Sequence, residues 1–253
     1  MKCHILTAAL LLLCAAGSTR GGKLPPNIKR CARTDPNVNE CLRLAVQDAL
    51  PKLRDGLPKL GLHRLDPLVI DELRISQGTG PINMDLTFTN MTTTKILDDV
   101  KVSKVRFDYD NLVLEATTIT PVVLAKSKYS VGGRVLLLPI RGSGDSVVNL
   151  FDVTTDLVIK GKRITKADGK DYLDIQSVIA KLTPKRMEMK MENLFNGDKQ
   201  LGETMNRVMN DNWQQVYAEV GPSFAQAYQE LFKRPARALF LHVPIDDIYP
   251  QKL

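Results

Sequence analysis

The spacing of apolar residues changes period along this chain, and that change limits the folds open to it. Met187, Met189 and Met191 alternate with Glu188, Lys190 and Glu192, so the three thioethers share one face of an extended strand. Beyond Asn196-Gly197-Asp198, Met205 and Met209 stand four apart, on one face of a helix. Five of the eight methionines lie in 187–213, where strand spacing gives way to helical spacing.

Strand spacing governs the region from 68 to 192. Ile82, Met84, Leu86 and Phe88 alternate with Asn83, Asp85, Thr87 and Thr89, and Val105, Phe107 and Tyr109 alternate with Arg106 and Asp108. The run 133–141 is more continuously apolar, as in a strand covered on both faces. Residues 172–182 read as a further strand, and Gly132-Gly133 and Asp168-Gly169 read as hairpin turns. Helical spacing flanks this meander. Residues 36–60 follow an Asp35-Pro36 start, with Pro51 predicting a kink and Pro58 a stop. A second stripe runs from Leu201 through Met205, Met209, Trp213, Val216, Val220, Phe224 and Tyr228 to Phe232, with a bend expected at Gly221-Pro222. An apolar helix stripe and an apolar sheet face must cover each other. The expected class is α+β, a long C-terminal helix laid against a long antiparallel sheet in one elongated domain over 23–253.

Residues 1–22 are expected to be a secretory signal peptide, cleaved between 16 and 22. Lys2 and His4 precede a run of about twelve apolar residues and a small-residue exit, too short for a membrane span. The formal charge of +7 is spread rather than clustered, and no basic patch interleaves with aromatics, which argues against nucleic-acid binding. With Cys3 and Cys14 in the leader, Cys31 and Cys41 remain. In an oxidising compartment a close pair reads as a disulfide, with no further Cys or His nearby to make a metal site. No nucleophile elbow, phosphate loop or HExxH motif occurs, and His63 and His242 stand far from any recognisable nucleophile, so no catalytic residue, metal or cofactor is expected. Gly142-Ser143-Gly144 reads as a loop, and Asp246-Asp247 as a solvated turn.

The segments CARTDPNVNEC, LGLHRLDPLVI, VLLLPIRGSG, MENLFNGDKQLGETMN, NDNW and HVPIDDIYP occur in this order. Together they resemble the insect takeout and haemolymph juvenile-hormone-binding family over residues 30–250. The resemblance implies a tubular lipid-binding fold, in which a strongly curved antiparallel sheet wraps the long helix and encloses an apolar tunnel. It also implies a secreted carrier of juvenile-hormone-like isoprenoids, fatty acids or other long-chain lipids, with links to circadian, feeding or chemosensory physiology. Moth hormone carriers have a second, late disulfide. No cysteine follows Cys41 here, so the chain looks more like the takeout branch.

On this reading the inward strand and helix positions are the candidate ligand contacts: Met84, Leu86, Phe88, Phe107, Tyr109, Met187, Met189, Met191, Met205 and Trp213. Methionine adapts to irregular apolar guests, although an apolar stripe is more often ordinary core. Tyr109 or Tyr172 would supply a hydroxyl to a ligand oxygen, and Trp213 in the N-x-N-W run reads more readily as a structural anchor than as a ligand contact. Asn90-Met91-Thr92 is an N-glycosylation sequon. The expected partner is a hydrophobic small molecule bound by a monomer with no stable membrane insertion. The rival readings are lipid transfer at anionic surfaces and a receptor-binding protein with a filled interior.

Overall fold

The computed structural model describes residues 22–58, 62–76, 82–136 and 138–253. The expected signal peptide, residues 1–22, lies outside the described residues but for Gly22. Helix α1 (Val38–Lys52) precedes β1 (Leu68–Ser76), β2 (Ile82–Thr94), β3 (Lys101–Asp108), β4 (Val113–Val135), β5 (Leu138–Thr165), β6 (Asp171–Thr183) and β7 (Arg186–Met191). A short 3-10 turn at Phe195–Gly197 leads to α2 (Lys199–Asp211), α3 (Trp213–His242) and α4 (Ile245–Ile248). Every strand pairing is antiparallel, in one curved sheet that does not close.

The long β4–β5 ribbon organises the molecule. One half of β4 pairs with β2 and the other with β3, while β5 pairs with β7 along 146–151 and with β6 along 154–165. The sheet therefore has two apolar regions. One gathers β1, β2 and β7 under α2 and α3, and the other gathers β3 and β6 near α4. A third, smaller cluster packs Cys31, Ala45 and Tyr249 beside α1.

The class is the expected one, and the differences lie at the punctuation. Gly132 and Gly133 are no turn. They sit inside β4 between β2 and β5, and the ribbon reverses where Val135 faces Leu138. Gly133 has φ +138°, and an added Cβ would meet Asn83 O at 2.3 Å. Glycine marks close backbone approach here, not reversal. The run 133–141 is accordingly two strand ends and not one buried strand. Gly142-Ser143-Gly144 also lies in β5, where a Cβ on Gly144 would meet Glu192 O at 2.6 Å. Asp168-Gly169 does turn, between β5 and β6, with Gly169 at φ +75°.

The first helix starts at Val38 and ends at Lys52, short of the expected 60. Pro51 is accommodated in the last turn, and Gly56 at φ +79° turns the chain so that Leu57 bridges Leu62. The second helical stripe breaks at Asn212 (φ −113°, ψ 30°), not at Gly221-Pro222, which lies inside α3. Gly221 instead lets the Tyr217 ring lie against the backbone, 2.9 Å from where a Cβ would stand. Leu201, placed on the stripe by its spacing, is 51% exposed.

Candidate functional site

The strand-borne and helix-borne methionines do face each other. Met187, Met189 and Met191 are buried on β7, and Met205 and Met209 are buried on α2 against the same core. Helix α2 is started by Asp198, whose Oδ1 accepts from Leu201 N at 3.0 Å. Two asparagines then fasten the helix to the strand. Asn206 accepts from Met191 N at 2.8 Å and donates to Met191 O at 2.9 Å. Asn210 does the same to Met189, at 2.8 Å for each bond. Four helical residues advance about 6 Å and two strand residues about 6.6 Å, so an i, i+4 pair of carboxamides matches alternate peptides. The pair thus occupies the edge of β7 that β5 leaves free. Asn212, the next asparagine of the NDNW run, donates to Val208 O at 2.8 Å where α2 ends.

Two small apolar cavities lie in this core. One, about 20 Å³, is walled by Val123, Leu182, Met187, Tyr217, Phe224 and Tyr228 among others. The second, about 10 Å³, brings together Met84, Leu86, Phe88, Met189, Met191 and Met209. Each has room for about one water. Val148 lines both, and Phe88 of the second packs on Phe224 of the first with ring centroids 5.6 Å apart. These three side chains link the two linings.

Six of the ten predicted contact residues therefore line a cavity: Met84, Leu86, Phe88, Met187, Met189 and Met191. Met205 is buried in the same core but lines neither. Trp213, the first residue of α3, is partly buried against that core and also lines neither. Phe107 and Tyr109 are not part of this region. They pack at the other end of the sheet, where Phe107 meets Tyr249 with ring centroids 5.1 Å apart. Correct strand alternation did not reveal that β3 pairs with the opposite half of β4 from β2. Sequence reasoning missed Met209 as a contact although its helical spacing from Met205 marked it. It also missed Val148 and Ser146, which alternate along β5.

The walls carry few polar groups, and among the described lining residues none is charged. Ser146 is buried and bonded to Ser127 Oγ at 2.8 Å. Tyr217 donates to Leu182 O at 2.9 Å, and burial pushes its phenol up to about 12. Tyr228 and Thr93 share a hydroxyl bond of 2.7 Å, and burial raises the Tyr228 phenol above its ordinary range. The two tyrosines expected to meet ligand are occupied elsewhere. Tyr109 donates to Asp246 at 3.1 Å beneath Arg33, and Tyr172 donates to Asp168 at 2.7 Å.

Outside the core, Cys31 and Cys41 form the expected disulfide, with Cα atoms 5.9 Å apart. Asn90 is exposed, at the shift of register between Thr89 and Thr92, so its sequon sits on a strand bulge within β2.

Comparison with known proteins agrees with this architecture. Takeout 1 of Epiphyas postvittana, seen by crystallography, superposes with a TM-score of 0.79 at 27% identity. The match covers 88% of this chain and 99% of that one. The circadian clock-controlled protein daywake of Drosophila melanogaster is 25% identical over 245 residues, covering 94% of this chain and 92% of its own length. Its namesake from Drosophila yakuba is 25% identical over 231 residues, covering 89% and 88%. The profile of the haemolymph juvenile hormone binding protein (JHBP) family matches residues 9–250. With the curved sheet, the long C-terminal helix and that match across nearly its whole length, the chain belongs to the takeout/JHBP family.

Proposed function

We propose that the protein is a secreted carrier that holds one hydrophobic small molecule between β2, β7 and helices α2 and α3. The observation that carries this reading is the uncharged, methionine-rich wall shared by the two cavities. Their present volume suits a water and not a lipid, so a long guest must displace side chains. Methionine is suited to that, being unbranched, with three rotatable bonds and a polarisable sulfur. Turning Phe88 and Phe224 would join the cavities into one tunnel. Each buried methylene then contributes about 0.8 kcal/mol before the cost of association. The family name and the takeout fold support an apolar cargo, and the two clock-controlled relatives support a link to daily physiology. The apolar run after Lys2 supports secretion, and the exposed Asn90 sequon supports a glycan there.

Expression of the full chain in insect cells, followed by solvent extraction of the secreted product and mass spectrometry, tests this directly. One apolar molecule per protein, from the host or from added isoprenoids and fatty acids, is the expected result. Protein retained in the cell would refute secretion. An empty extract after such loading would mean that the methionines are core only.

A further inference from the structure

Tyr228 lines the larger cavity, and its hydroxyl shares a single hydrogen bond with Thr93 behind it. Thr93 is fully buried, Tyr228 is 7% exposed, and their oxygens lie 2.7 Å apart. Two hydroxyls carry two protons, and one bond between them uses one. Among the described residues neither hydroxyl has another partner, so one proton of the pair lacks an acceptor. The other hydroxyls of the two walls differ. Tyr217 donates to Leu182 O, and Ser146 reaches both the hydroxyl and the carbonyl of Ser127, which uses both serine protons. Buried donors in native proteins are almost always paired, and a donor left over beside an apolar cavity points to an acceptor brought by the guest.

We propose that Tyr228, backed by Thr93, anchors one uncharged acceptor oxygen of the bound lipid, a carbonyl or ether oxygen. This rests on the carrier reading above and sharpens it. With guest in place Thr93 donates to Tyr228 Oη and Tyr228 donates to the guest, so both protons are used. Thr93 does not line the cavity, which leaves the outward bond to Tyr228. Burial keeps the phenol protonated at neutral pH, so it remains a donor. A carboxylate would also accept the bond. However, no Lys or Arg lines the cavity among the described residues, and an unpaired buried charge is strongly disfavoured. The site therefore selects an ester or ketone over a free fatty acid, and over a plain hydrocarbon.

The test is displacement of an environment-sensitive naphthylamine probe from the full mature chain by methyl palmitate, hexadecane and palmitate. The wild type should favour the ester over the hydrocarbon by about three- to tenfold, the value of one neutral hydrogen bond. The ester should also displace the probe better than palmitate at neutral pH. Tyr228→Phe should bring the ester-to-hydrocarbon ratio close to one. Thr93→Val, which leaves the phenol free to donate, should keep the preference. A merely structural pair would make the two variants behave alike. Equal displacement by ester and hydrocarbon in the wild type overturns the proposal while the carrier stands. An unchanged ratio in Tyr228→Phe does the same, as does tighter binding of palmitate than of the ester. Failure of the wild type to take up the probe or any of the three lipids sinks the carrier and the anchor together. The wild-type ratios decide the matter even if Tyr228→Phe proves too unstable to isolate.

Discussion

Asn206 and Asn210 show how much of this molecule rests on single side chains. Each carboxamide meets both the N–H and the C=O of a β7 residue and also donates to a carbonyl on its own helix, Gly202 O or Asn206 O. Alanine at 210 would strip both partners from the Met189 peptide and leave them against a methionine core. A buried polar group without a partner costs more than the bond contributed when made. Asn210→Ala is therefore expected to destabilise by about 2–4 kcal/mol in urea unfolding. An exposed control such as Lys199→Ala should change stability by less than about 0.5 kcal/mol. Equal effects from the two substitutions would remove the asparagine ladder as a cause of β7–α2 docking. The asparagines were visible in the MENLFNGDKQLGETMN and NDNW segments, but their role was not, because spacing alone does not say which strand a helix covers.

Between elements, the far half of α3 is tied to the sheet by charge. Arg237 donates to the buried carboxylate of Asp174 on β6, and Gln176 adds a bond at 3.1 Å. The guanidinium, ahead of the other causes, holds the Asp174 carboxyl below its ordinary range. A carboxyl lowered in the folded state contributes stability that is present above the ordinary carboxylate range and lost as pH falls through the folded value. Arg237→Gln should therefore lower the thermal midpoint at neutral pH, and only modestly because Arg237 is half exposed. The difference from wild type should shrink as the buffer is taken below the carboxylate range. Thermal midpoints measured at both ends of that interval check the sign, and a gap that widens in acid would contradict it. At this scale the strand region 68–192 and the helical stripes beside it were legible from apolar period, though the long β4 and β5 were not singled out. The ends of the elements were not legible, because Gly133 and Gly221 serve close packing and not reversal or bending, and a glycine reads the same in sequence for either purpose.

Over the whole molecule, the disulfide loop joins the two ends of the described chain. Arg33 N donates to Pro250 O at 2.8 Å, Thr34 Oγ1 to Gln251 O at 2.9 Å, and the Arg33 guanidinium pairs with Asp246 at 3.0 Å. Cys31 packs with Ala45 and Tyr249 in a cluster separate from the methionine core. Replacing both cysteines with serine should lower stability by about 2–4 kcal/mol on the loop-entropy account. Uptake of an apolar probe per folded molecule should not change, because the cavities lie in the other cluster. Thermal unfolding and probe titration on the same sample check both halves, and a loss of uptake without a loss of stability would show that the two regions are coupled.

What the sequence by itself determined was local: which region extends, where helices flank it, most of the apolar positions on each face, and which cysteines meet. These follow from side-chain period and from chain closeness, both carried within a few residues. The tertiary structure decided everything that depends on partners far apart in the chain. It set β3 and β2 on opposite halves of β4 and so removed Phe107 and Tyr109 from the methionine site. It also brought Thr93 to Tyr228 across 135 positions. Register and helix rotation select such pairs, and neither is written in the spacing of either segment alone.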